Sequence, residues 1–273
     1  MFRKSNYKEG DEETRTEKSL KKSISTLRLV DGGSTLVHPD DIPFKVDETP
    51  DIFTHFRKQV EGLEDMVREP ELLFETQKFP PFPSEACRSR ESQEQISMTD
   101  LIDLNDDRSV DRQSAMPFHG GETSALTRVN HYFSSQAVES YKTTRNGLVG
   151  TDYSTKFSAF LAHGNISARH IYHLLKQHEE KFMQGQASKD IYWVVFELLW
   201  RDFWKFLGRK TRNQIFYLEG RNHGNHHQQN SNKWSTDSAV FQKWKEGSTG
   251  VPFIDANMRE IAATGYFRQN IRC

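Results

Sequence analysis

Cysteine is nearly absent from this chain of 273 residues: only Cys87 and Cys273 occur, without paired spacing. That excludes a disulfide framework and a thiolate zinc site. Proline is confined to the first half, since eight of the nine prolines fall at or before Pro117 and only Pro252 follows. The second half is therefore free to be helical. Long apolar runs are missing as well. The best candidate, opening at Ile191, stops at Glu197, well short of the roughly 20 residues that a membrane-spanning helix needs. The N-terminal MFRKSNYKEGDEETRTEK has no apolar signal core, so a soluble intracellular protein is expected, its compartment unresolved. GxSxG, P-loop and GxGxxG patterns are all absent, which leaves the common nucleophilic and nucleotide-binding solutions without support. Hydrophobic residues make up only 35% of the chain, so part of it is expected to pack poorly. The net charge of -1 hides an asymmetry. Pro39 to Asp111 holds 8 Lys/Arg against 19 Asp/Glu, whereas Arg128 to Arg212 holds 13 against 7, which makes the latter the better partner for an anion.

Helical periodicity dominates what is present. Glu12 to Leu27 reads as a helix, and Ser34 to Val37 as the end of a strand before the Pro39-Asp40-Asp41 turn. Thr49-Pro50-Asp51 reads as a cap for a helix burying Phe53, Phe56, Val60, Leu63 and Val67. The PPFP run from Pro80 and the polar residues Ser84 to Asp111 read as linker. Beyond Gly120-Gly121, a helix is expected to bury Ala125, Leu126, Val129 and Phe133. Ser167 can cap another that buries Ile171, Leu174, Leu175 and Phe182. A further helix lies around Phe241 to Glu246, and the last segment begins another.

The stretch IYWVVFELLWRDFWKFL, Ile191 to Leu207, is the centre of the pattern. Glu197, Arg201 and Lys205 recur every fourth position and form a charged stripe on an otherwise apolar helix, with Trp193, Trp200 and Trp204 alongside. Two readings fit: a core helix whose Glu and Arg neutralise each other, or a pocket wall for a flat, charged ligand. YSTKFS, Tyr153 to Ser158, gathers the hydroxyls of Ser154, Thr155 and Ser158 with Lys156 where a helix begins. Such a site suits a phosphate, although ordinary capping gives the same pattern. Tyr141, Lys142 and Arg145 upstream add a ring and cations. His223, His226 and His227 lack a carboxylate or Cys at ligand spacing, so no metal site is assigned. Trp244 fits a core anchor, and Asp255, Arg259 and Glu260 fit intrahelical pairing.

Several motifs then converge. GSTLVHPDDIPF, GGETSALTRVNHYF, SYKTTRNGLVGTDYSTKFSAFLAHGNISARHIY, YWVVFELLWRDFWKFL and WKEGSTGVPFIDANMREIAATG resemble, in order from Gly33 to Thr264, the photolyase/cryptochrome family. The GGET, YSTKFS and FELLWRDF forms are closest to its DASH branch. The resemblance implies a mainly α fold: a partial photolyase-like helical FAD-binding domain with a short remnant of an α/β domain and a linker. The implied divisions are 1–45 as the tail of the α/β antenna domain, 46–118 as an interdomain helix and acidic linker, and 119–273 as the N-terminal part of the FAD domain.

The resemblance also implies FAD as cofactor, with a folate antenna in a full-length form. Tyr141 matches a flavin-contacting Tyr, and Ser154, Thr155, Lys156, Phe157 and Ser158 match the pyrophosphate loop. Arg201 matches the flavin side of the central helix and Trp204 joins the cofactor-binding set. Glu197 and Trp200 match the lesion side, and Trp244 the outermost member of an electron-transferring tryptophan chain. The implied activity is light-driven repair of cyclobutane pyrimidine dimers in single-stranded DNA, or blue-light reception, by a monomer without membrane contact. The alternative is a truncated, non-catalytic fragment that retains at most partner or nucleic-acid binding. Two departures from the family favour truncation: Phe267 runs directly into Arg268 where the family has a short MSNRG-like insert, and the family continues with further helices beyond Cys273.

Overall fold

The computed structural model describes residues 9–23, 34–69, 114, 116–148, 150–216 and 235–266. The His-rich stretch Asn222 to Asn230, the linker Ser84 to Asp111 and the Phe267–Arg268 junction lie outside them. Among the described residues the secondary structure is entirely helical, with no strand. The chain divides into two compact units, one of residues 1–69 and 119–237 and one of 70–118 and 238–273.

The first unit contains α1 (Glu9–Ser23), α2 (Phe53–Val60), α3 (Glu122–Ser134), α4 (Tyr141–Thr144), α5 (Ser158–Ala162), α6 (Ala168–Phe182) and α7 (Lys189–Thr211). The 23-residue α7 is its spine. Ser188 caps α7 by accepting the N–H groups of Asp190 and Ile191, and Glu179 of α6 accepts the Ser188 N–H at 3.0 Å. The start of α7 is thus fixed to its neighbour. Its buried residues, among them Ile191, Val194, Leu198, Leu199, Phe203 and Phe206, cover more than one face, as expected for a helix enclosed by several partners.

α2 lies against this spine through aromatic rings. Phe53 meets Phe196 edge-on with centroids 5.2 Å apart and stacks on Trp200 at 3.7 Å, and Phe56 meets Phe203 at 5.6 Å and Phe206 at 6.0 Å. Burying each Phe stabilises the pair by about 2–3 kcal/mol.

Ser167 caps α6 as expected, accepting the Arg169 N–H at 3.2 Å. Other expectations change. Thr49 closes a one-turn 3₁₀ helix on Val46 instead of capping α2, whose N-cap is Ile52. On α3 the buried face is Ala125, Arg128, Val129 and Tyr132, displaced from the expected one, because Arg128 has partners that reward its burial. Phe182 is exposed at the end of α6. Ser34 to Val37 is not a strand: its amides bond to a side chain of α7.

In the second unit, α8 (Ser238–Lys245) and α9 (Pro252–Thr264) flank a turn. Asp255 does not pair along its own helix. Its carboxylate accepts the Thr249 N–H and hydroxyl and the Gly250 N–H, while Arg259 donates to the Gly247 carbonyl at 3.0 Å. Gly247 has φ +64°, and a Cβ there would stand 2.7 Å from the Asp255 carbonyl oxygen, so the close approach requires glycine.

Candidate functional site

The loop entering α5 is built around Arg128. Its Nε donates to the Thr155 carbonyl at 3.0 Å, its Nη2 to the carbonyls of Ser154 and Thr151, and its Nη1 to Asp152 at 2.6 Å. Asp152 also meets His131 at 3.0 Å. Burial raises the Asp152 pKa, but the hydrogen bonds from His131 and Arg128 together outweigh this and hold it below the usual range. Arg128 therefore draws the loop carbonyls inward. Among the described residues, no side-chain hydrogen bond engages the hydroxyls of Ser154, Thr155 and Ser158. Ser158 does begin a helix, yet α5 has only five residues, so its dipole adds little and the hydroxyls carry the anion-binding capacity. Lys156 has φ +59° and a buried side chain whose ammonium lies 3.4 Å from the centroid of the Tyr153 ring. Phe157 is buried against Tyr132, ring centroids 5.8 Å apart. The Tyr132 hydroxyl is buried without a hydrogen-bond partner among the described residues, and burial holds its pKa far above the ordinary value.

Tyr141 is buried at the start of α4, where the next amide, of Lys142, donates to Asp190 of α7 at 2.9 Å. One turn on, Arg145 forms an ion pair with Glu197, and its guanidinium carbon lies 4.4 Å from the Trp193 ring centroid. Glu197 thus pairs across to α4, and its expected partner within the helix, Arg201, bonds elsewhere. Arg201 donates to the Ser34 carbonyl at 2.6 Å and to the Leu161 carbonyl, near the end of α5, at 3.0 Å. Lys205 also donates to Ser34, at 3.1 Å. Burial pulls the Arg201 pKa below its ordinary value. The neutralised-pair reading of the stripe therefore fails, because Glu197 pairs with Arg145 while Arg201 and Lys205 both donate to the Ser34 carbonyl. Trp200 is half-buried under Phe53 and 6.1 Å from Trp204, which is 61% exposed. Trp244, on α8, is 46% exposed, and no residue of that helix is buried.

The structure thus joins Arg145, one turn beyond Tyr141, to Glu197 and Trp193, and Arg201 to Ser34 and to Leu161 of α5. Two residues escaped the sequence reading. Arg128 sits at a position that the helical period assigns to the apolar face, which was the available signal. Asp202 is fully buried, and its carboxylate accepts the Leu36 and Val37 amides at 3.0 and 2.9 Å. Burial pushes its pKa up to about 7, although both amide bonds pull downward.

Residues 193–273 match the family described as the FAD binding domain of DNA photolyase. The chain is similar to the Cryptochrome DASH of Danio rerio, 45% identical over 254 residues, with 88% of this chain and 44% of that one covered. It is also similar to the Cryptochrome DASH of Xenopus laevis, 41% identical over 270 residues, covering 95% and 48%. The crystal structure of the Synechocystis sp. PCC6803 cryptochrome superposes with a TM-score of 0.74 at 34% identity, covering 98% of this chain and 52% of that chain. The chain spans about half the length of the curated relatives it matches. It belongs to the photolyase/cryptochrome family, and its relatives place it with the DASH cryptochromes.

Proposed function

We propose that this chain forms one wall of a flavin pocket and serves light-driven repair of cyclobutane pyrimidine dimers in single-stranded DNA. The observation that carries this is the loop Thr151 to Ser158. Arg128 engages its carbonyls on the inside, and the hydroxyls of Ser154, Thr155 and Ser158 remain for an outside acceptor. A donor set of this kind fits the pyrophosphate of FAD. Arg201 is joined to α5 near its C-terminal end, at the Leu161 carbonyl, and Tyr141 begins α4.

When bound, FAD supplies an electron to the lesion on absorbing light. The residues of the chain do the positioning. Ser154, Thr155 and Ser158 hold the pyrophosphate, with Lys156 and Phe157 shaping the loop from within. Tyr141, Arg201 and Trp204 complete the cofactor contacts. Glu197 offers a carboxylate acceptor to a flipped pyrimidine, and Trp200 offers it a flat face. Trp244 serves as the outer member of a tryptophan relay. In this reading residues 1–45 belong to an antenna domain, 46–118 to the interdomain connection and 119–273 to the flavin domain, and the folate antenna belongs to the full-length form.

A second reading, a non-catalytic partner or nucleic-acid binder, is favoured by one observation: both lesion-side residues are already engaged, Glu197 by Arg145 and Trp200 by Phe53. The absorption spectrum of the purified chain, followed by illumination with dimer-containing oligothymidine, decides between them. A yellow protein that restores undamaged thymines in light supports repair. A folded, colourless protein without light-dependent activity sinks it and leaves the binder.

A further inference from the structure

The segment Ser34 to Val37 is neither helix nor strand, yet Thr35, Leu36 and Val37 are almost wholly buried. Buried amides need acceptors. Here one side chain supplies them for two consecutive residues, since one Asp202 oxygen takes the Leu36 N–H and the other takes that of Val37. Thr35 closes the same bend by donating its hydroxyl to the Val37 carbonyl at 2.6 Å. The preceding carbonyl, of Ser34, then faces α7 and accepts from both Arg201 and Lys205. Asp202 thus holds the segment whose carbonyl holds its own neighbour in sequence.

We propose that Asp202 is a positioning residue for Arg201: by clamping the Leu36 and Val37 amides it fixes the Ser34 carbonyl against the Arg201 guanidinium, and so orients that group for the flavin without touching it. The orientation toward the flavin rests on the pocket reading above; the hold on Arg201 does not. Asp202→Asn is nearly isosteric, but its amide nitrogen would face a backbone N–H, donor against donor, so one clamp bond is lost. Arg201 would then keep only the Leu161 carbonyl as a firm anchor.

The test combines three measurements on the full chain. In D202N, the Leu36 and Val37 amides are expected to exchange at least about tenfold faster while the core of α7 keeps its protection. The Arg201 guanidinium, ordered in the unmutated chain, is expected to show fast rotation by 15N NMR. In titrations with FAD, D202N should weaken binding about tenfold or more, yet have no further effect in an Arg201→Ala background, because the two act as one unit. Unchanged Arg201 signals, or losses of FAD affinity that simply add, would overturn the proposal. An unmutated chain that takes up no FAD removes the pocket reading, and exchange and guanidinium order then decide the hold on Arg201. Should D202N not fold, exchange in the unmutated chain is decisive: Leu36 and Val37 amides as slow as those of α7 support the clamp, and loop-like exchange overturns it.

Discussion

Arg128 is the residue on which the local architecture of the candidate phosphate loop depends. Four donors from one side chain serve three backbone carbonyls and Asp152, so removing it leaves several part-buried acceptors unsatisfied at about 1–3 kcal/mol each. Arg128→Met is expected to destabilise the chain by roughly 3 kcal/mol. It should also speed amide exchange across Thr151 to Ser158, and denaturant titration with exchange mass spectrometry reads both. Asp202 gives a pH signature. Its pKa in the folded chain, about 7, lies above the ordinary carboxylate value of 3.8, so the folded state holds this proton more tightly than the unfolded one. Its contribution therefore favours the fold at pH values below the ordinary carboxylate pKa, and stability declines as pH rises from about 4 to about 7, then levels off. Asp202→Asn should flatten that portion of the stability curve; an unchanged slope would show that another group is responsible. Arg145→Ala tests the lesion side. Releasing Glu197 and uncovering Trp193 should change Trp fluorescence while leaving flavin retention within about twofold, since Arg201 keeps its own anchors at the Ser34 and Leu161 carbonyls.

Among the elements, the pairing of α2 with α7 shows what the pattern could and could not disclose. The period of Phe53, Phe56, Val60, Leu63 and Val67 announced a buried helical face; the first three are buried on α2, but the helix ends at Val60, so Leu63, half-buried, and Val67, buried, follow it in non-helical chain. Which face of α7 receives them was not announced, because α7 is apolar nearly all round and its pattern selects no single partner. Phe53→Ala is expected to cost about 3–5 kcal/mol. It would also uncover one face of Trp200, with a red-shifted emission that separates this site from Phe56→Ala, whose ring does not stack on a tryptophan. The candidate site was partly legible for the same reason. Ser167 at its cap and the stripe Glu197, Arg201, Lys205 could be placed from spacing alone. Their partners could not, since Arg145 is 52 residues from Glu197 and Ser34 is 167 from Arg201. The bend at Ser34 to Val37 was mistaken for a strand because a β-like composition states that amides will be bonded, without stating to what.

For the whole molecule, the charge asymmetry overstates what is available to a nucleic acid. From Arg128 to Arg212 the chain has 13 basic side chains, but many are committed inside the fold. Arg128 and Lys156 are buried, Arg145 pairs with Glu197, Lys176 with Glu179 and Lys210 with Asp51, and Arg201 and Lys205 donate to the Ser34 carbonyl. Arg169 reaches the Thr35 carbonyl, and Lys142, Lys181, Lys189, Arg209 and Arg212 lie exposed on the surface. Each cation that meets a phosphate of single-stranded DNA adds about 0.7 to the slope of log K against log salt, so all thirteen would give about −9 and these five surface cations about −3.5. Binding of labelled oligothymidine across a salt series is therefore expected to show a slope no steeper than about −4, with aromatic contacts supplying the salt-independent part. Charge reversal at Lys142 and Lys189 should flatten it by roughly one to two further units. A slope near −9 would mean that the buried cations leave their partners on binding, and that the interior network described here opens when nucleic acid is taken up.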